Sequence, residues 1–126
     1  MSKEPSRTLI KISVDPNSPP QDLKACLSMV FWKEPDMVAS AAAFMSYVRE
    51  WNLLGSPHKA GDWKKYCAKS ALTQSQYSNM LKRLKKSGMV EKRFNRSIRQ
   101  HEIVPSEKFS EIMRSAANSW VTFLKQ

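Results

Sequence analysis

The sequence predicts a mainly α-helical domain carrying one small β-hairpin, and two observations lead there. Apolar residues recur at helical spacing in five stretches between residues 18 and 124, while alternation at period two is confined to short runs. The positive charge is also gathered in one place. Residues 59–99 hold twelve Lys and Arg against two acids, Asp62 and Glu91, and this surplus of ten equals the net +10 of the whole chain. Charge carried only for solubility would be dispersed, so the concentration points to a polyanionic partner.

The elements follow in order. Residues 1–17 read as an extended N-terminal arm, and residues 18–126 as one folded unit long enough to bury a core. Within the arm, "LIKISV" alternates Ile10, Ile12 and Val14 with Lys11 and Ser13, so Leu9 to Val14 is a short strand or extended segment. "DPNSPP" breaks it. Ser18 can cap a helix running to about Lys33, with Leu23, Cys26, Leu27, Val30 and Phe31 on one face. "KEPD" interrupts, and Asp36 is a cap for the longest periodic segment, Met37 to Leu54. Val38, Ala41, Met45, Val48 and Trp51, with Ala42 and Phe44 flanking, give that helix a wide apolar face.

Gly55 ends the helix and "GSPHKAG" reads as a loop. Asp62 caps a short helix to about Ser70, with Trp63, Tyr66 and Cys67 inward and Lys64, Lys65 and Lys69 outward. "SALT" makes a turn, and Thr73 with Gln76 forms a T-x-x-Q capping box for a helix over 73–87 that Gly88 terminates. Two strands follow, Met89 to Phe94 and Ile98 to Val104, joined by Asn95, Arg96 and Ser97. Pro105 and Ser106 introduce a last helix over 106–124 with a stripe of Phe109, Ile112, Met113, Ala116, Trp120, Phe123 and Leu124. That stripe suits either the domain's own core or a dimer interface, which Leu27, Phe31 and Trp32 could join.

Several function classes lack their residues. His58 and His101 are far apart without metal-ligand spacing, and neither a Gly-rich phosphate loop nor a nucleophile elbow occurs. The acids form no apolar pair for proton transfer. The sequence therefore reads as a non-enzyme without metal or cofactor. Cys26 and Cys67 form no C-x-x-C pair and read as reduced thiols. No apolar run reaches membrane-spanning length and no export signal is apparent, so the expectation is a cytoplasmic protein without membrane contact. Trp32, Trp51 and Trp120 suit core packing better than a small-molecule effector pocket.

The helix over 73–87 carries the sharpest functional signal. Tyr77, Met80, Leu81 and Leu84 share one sector, leaving the opposite face polar and graded along its length. Its N-terminal half offers Gln74, Ser75, Gln76, Ser78 and Asn79, side chains able to pair with base edges in a major groove. Its C-terminal half offers Lys82, Arg83, Lys85 and Lys86 to phosphates, which Lys64, Lys65 and Lys69 of the preceding helix would also reach. The hairpin adds Lys92, Arg93 and Arg99 as phosphate contacts, with Asn95 and Arg96 at its tip. Arginine there suits the negative potential of a minor groove. A solvated helix would explain the polar face alone, but not a cationic hairpin directly after it.

A short helix, a tight turn, a basic helix and a two-stranded hairpin outline a winged helix-turn-helix with additional N- and C-terminal helices. From about Asp62 to Val104 the chain resembles MarR-type and ArsR-like regulators. The carrying stretch is "LTQSQYSNMLKRLKKSGMVEKR", with its polar helix start, Tyr77, Leu81 and Leu84, and Ser87-Gly88-Met89-Val90 turning into a basic strand. The resemblance covers residues 62–88 as helix-turn-helix and 89–104 as wing. The hairpin departs from it by lacking the acidic-arginine pattern of such wing tips. What the resemblance implies is a homodimeric, sequence-specific binder of double-stranded DNA, most simply a transcriptional regulator. A partition or replication-site protein of a plasmid or virus shares the same features, and a protein-interaction module that kept the winged fold is the alternative from another class.

Overall fold

The computed structural model describes Ile10, Lys11, Asn17 and residues 20–126. The elements run α1 (Leu23–Val30), α2 (Val38–Leu53), β1 (His58–Lys59), α3 (Trp63–Ser70), α4 (Gln74–Ser87), β2 (Val90–Asn95), β3 (Gln100–Pro105) and α5 (Lys108–Lys125). The chain is mainly helical, with a small antiparallel sheet ordered β1–β3–β2.

Several boundaries differ from the sequence expectation, each for a local reason. Helix α1 starts at Leu23 because Asp22 takes the cap, its carboxylate accepting the Ala25 N–H at 2.9 Å. Ser18 and the expected strand from Leu9 to Val14 lie outside the described residues, apart from Ile10 and Lys11. The Lys11 N–H donates to the Met29 carbonyl at 2.9 Å. The helix stops at Val30 rather than near Lys33, with Phe31 turned into the core at 1% exposure. Asp36 does not cap α2. Pro35 to Met37 forms a 3₁₀ turn whose first position accepts proline, and α2 starts at Val38 with no side-chain cap.

The core gathers on α2. Its buried face is centred on Phe44, with Ala41 and Val48 beside it, while Trp51 near the helix end is exposed rather than part of that face. The Phe44 ring stands edge-on to His58, Tyr66 and Tyr77, at centroid distances of 5.6, 5.1 and 5.7 Å. Edge-to-face pairs of this kind add to simple burial. Leu27 and Val30 of α1, Phe31 just after it, and Met80 and Leu84 of α4 close around them.

The segment "GSPHKAG" is not a plain loop. It contains β1 and a 3₁₀ turn over Ala60–Asp62, with β1 pairing as His58 opposite Ile103 and Lys59 opposite Glu102. Asp62 stands at the head of α3 without a side-chain cap bond. Ala71 takes a left-handed conformation (φ 55°), and the Leu72 N–H donates to the Cys67 carbonyl at 3.1 Å, so α3 turns sharply into α4. Both cysteines are free, Cys67 buried and Cys26 half-buried.

Strands β2 and β3 pair from Val90 opposite Pro105 to Asn95 opposite Gln100. Their turn spans residues 96–99, longer than expected. Ile98 belongs to the turn and not to a strand, because Arg99 sits at φ 54° and only then re-enters the ladder. Helix α5 buries none of its residues. Phe109 packs on the core, and the remainder of the helix does not close it.

Candidate nucleic-acid interface

Helix α4 is held firmly at both ends. The capping box forms in full: the Gln76 N–H donates to Thr73 Oγ1 at 3.1 Å, and the Thr73 N–H donates to Gln76 Oε1 at 2.9 Å. At the other end Gly88 takes φ 84° and its N–H reaches the Leu84 and Lys85 carbonyls. Tyr77, Met80, Leu84 and Ser87 are buried beneath the helix. The opposite side is therefore fixed. Ser75, Asn79, Lys82 and Lys86, spaced i, i+4, i+7 and i+11, run in one line along it. The first three are exposed and Lys86 is half-buried, while exposed Gln74, Ser78 and Lys85 flank the line.

Not every residue expected at the interface is equally free. Gln76 is exposed, but its carbonyl oxygen is committed to the cap, so only its NH₂ group can serve a ligand. The Arg83 Nε lies 3.8 Å from a Glu34 carboxylate oxygen, which ties the guanidinium to the segment between α1 and α2. By contrast Lys82, Lys85 and Lys86 have no acidic partner among the described residues. Partial desolvation, reinforced by the like charges of Lys82 and Arg83, pulls the Lys86 pKa below the ordinary lysine value. Crowded cations with no counter-charge are a ready site for an anion.

Lys64, Lys65 and Lys69 are exposed on α3, and the Lys64 ammonium lies 5.6 Å from the Trp63 ring centroid. In the hairpin, Lys92, Arg93, Arg96 and Arg99 are exposed. A residue that sequence reasoning missed organises them. Glu102 is 4% exposed, with one carboxylate oxygen 3.8 Å from Arg93 Nε and the other accepting from Asn95 Nδ2 at 3.1 Å. The Asn95 Oδ1 accepts the Ser97 N–H at 3.0 Å, so both ends of this amide are used to shape the tip. Arg96 and Arg99 stay unpaired among the described residues. The overlooked signal was an acid placed directly opposite a cation across a hairpin.

His58 also escaped the sequence reading. Its Nε2 lies 2.9 Å from the Tyr77 hydroxyl, so β1 is tied to the underside of α4. Burial lowers the His58 pKa, nearby Asp62 opposes that shift and Lys59 adds to it. Burial likewise raises the Tyr77 hydroxyl well above the usual tyrosine value. Both shifts favour the uncharged form of the group. Among the described residues no group of three His, Cys, Asp or Glu side chains is placed to hold a metal ion, and no helix is long and apolar enough to cross a membrane.

The model of an archaeal family matches residues 20–125, a span that takes in every helix and strand from α1 to α5. The chain belongs to this archaeal family. No curated protein and no solved structure matches it. For this member of the archaeal family, the reading of the site rests on the chain's own side chains.

Proposed function

We propose that the chain is a winged helix-turn-helix protein that binds double-stranded DNA in a sequence-specific manner, most simply as a transcriptional regulator. In this reading α3 and α4 are the helix-turn-helix and the β2–β3 hairpin is the wing. The observation that carries it is the line Ser75, Asn79, Lys82 and Lys86, presented outward by a helix whose other face is anchored in the core. Helix-turn-helix proteins set the first part of the recognition helix against bases. Asn79 is exposed, with a carboxamide able to pair with the adenine edge, and Gln74, Ser75 and Ser78 lie around it. Lys82, Lys85 and Lys86 come later on the helix, where phosphates flank a groove.

The three-strand order supports the same reading, since β1 braces the hairpin from behind and leaves β2 as its free edge. Arg96 and Arg99, without an acidic partner among the described residues, would reach the neighbouring groove or backbone from the turn. Lys64, Lys65 and Lys69 would meet the phosphates that α3 crosses.

Selection from a random duplex pool followed by sequencing tests the proposal, and a defined consensus is the expected outcome. On that consensus, Asn79→Ala should lose about 1–3 kcal/mol and relax one position, while Lys86→Ala should weaken all duplexes alike and reduce the salt slope by about 1. Equal losses on consensus and random DNA for both variants would remove base reading and leave a backbone binder. A partition or replication role would announce itself as cooperative spreading over repeated sites in a footprint.

A further inference from the structure

We infer that α5 is a self-association helix, through which two copies of the chain pair antiparallel about a two-fold axis near residue 118. After Phe109 the helix leaves the body. Ile112 is 46% exposed, Trp120 60%, Phe123 61% and Leu124 62%, although all four lie on one side of the helix. An isolated helix of this length is marginal in water, and contiguous apolar surface of this kind marks an interface.

Three features select a second copy as the occupant. The seam reads alike in both directions about residue 118: Ile112 mirrors Leu124, Met113 mirrors Phe123, and Ala116 mirrors Trp120. Antiparallel pairing therefore sets the large indole of each copy against the small Ala116 of the other, as an isologous contact requires. The area also fits. The exposures of Ile112, Trp120, Phe123 and Leu124 correspond to on the order of 500 Å² per copy, so two copies covering each other in full would bury roughly 1,000 Å², the size of a small specific interface.

The third feature is charge. Between residues 110 and 124 the seam is flanked by Ser110, Ser115 and Ser119, with Glu111 and Arg114 on the far side. Lys108 shares the serine flank but lies one turn before Ile112, at the body end of the helix, and Lys125 lies on the far side. A nucleic acid or an anionic membrane would call for cations along the edges of such a face. Edges without charge beside residues 110–124 suit the same face of a second copy. The Trp120 and Phe123 rings already stack at 5.3 Å within one copy, forming a preassembled apolar ledge.

The pairing would give the proposed DNA reading its two-fold symmetry, but it does not rest on that reading, because its tests contain no DNA. Sedimentation equilibrium of the full chain at micromolar concentration should give a dimer. Trp120→Glu should weaken self-association about 30-fold or more, the effect of losing one interface anchor, while the amide spectrum of residues 23–105 stays that of a folded body. A monomeric parent chain, or a Trp120→Glu chain that associates as tightly as its parent, overturns the inference. Should that variant fail to fold, spin labels on cysteines introduced at Lys108, Asn118 and Lys125, in a chain with Cys26→Ala and Cys67→Ala, decide the matter instead. Antiparallel pairing gives the shortest copy-to-copy distance at 118 and longer ones at both ends. Equal distances at all three, or no dipolar coupling at any, overturn it.

Discussion

Helices α4 and α5 carry apolar stripes of similar quality and meet opposite fates. Tyr77, Met80 and Leu84 of α4 are no more than 4% exposed, whereas Trp120, Phe123 and Leu124 of α5 are 60–62% exposed. Their polar faces differ as well, since α4 presents lysines without an acidic partner among the described residues and α5 presents mostly hydroxyl and amide groups next to its seam. Helical periodicity states that a face needs cover, but not where the cover comes from. For α4 the cover is local: the tight turn after α3 and the hairpin after Gly88 fold the helix back onto Phe44. For α5, Phe109 in the first turn packs on the core, and among the described residues the rest of the stripe stays uncovered unless the inferred pairing of two copies supplies the cover.

The sharpest way to break this contrast is to remove one large ring from each region. Phe44→Ala opens a cavity beneath α4 and should destabilise the chain by about 3–5 kcal/mol in urea denaturation. Trp120→Ala removes a larger side chain, yet at protein concentrations dilute enough to be monomeric it should change stability by less than about 0.5 kcal/mol. Comparable losses from the two substitutions at high dilution would mean that α5 packs on its own body.

Gly88 joins the two regions and should give the next largest effect. Its φ of 84° terminates α4, and its carbonyl accepts the Phe109 N–H at 3.0 Å where α5 begins. A Cβ there would lie 2.9 Å from both Lys108 Cβ and Phe109 N. Gly88→Ala should therefore cost about 2 kcal/mol by thermal denaturation, from left-handed strain together with collision against backbone that cannot swing away. A neutral result would show that the entry to α5 is free to shift.

How much of this was legible in the sequence follows the same division. The capping box of Thr73 and Gln76, the stop at Gly88 and the burial of Tyr77 and Leu84 are all set by residues within one or two turns, and those readings match the structure. Strand β1 was missed because two residues carry no periodicity; it exists only through its pairing with Ile103 and Glu102, more than forty positions away. Asp36 was misread because a proline-led 3₁₀ turn competes with a capped helix start. The buried bond from His58 to Tyr77 and the clasp of Glu102 on Arg93 and Asn95 depend on sheet register, which a lone histidine or acid does not announce. The line of Ser75, Asn79, Lys82 and Lys86 was readable from spacing alone, whereas the capture of Arg83 by Glu34 was not.

The smallest expected effect probes how α4 is held from below. His58 is 3% exposed; its Nε2 meets the Tyr77 hydroxyl, and its Nδ1 has no hydrogen-bond partner among the described residues. Charging this ring would place a cation with an unpaired donor among Phe44, Tyr47 and Tyr66, which is why burial depresses its pKa from 6.5. The folded state thus binds the proton less readily than the unfolded chain. The stability linked to His58 is fully present above about pH 6.5 and is lost as pH falls from there through the folded-state pKa. Urea midpoints taken at pH 7.5 and 5.5 should show the acid loss, and His58→Phe should flatten it. Tyr77→Phe removes the ring's one partner and should cost about 1 kcal/mol at pH 7.5. If stability instead rises on acidification, or if His58→Phe keeps the slope, the histidine is not the group that couples β1 to the underside of α4, and the tie between sheet and basic helix must be sought in the Phe44 packing alone.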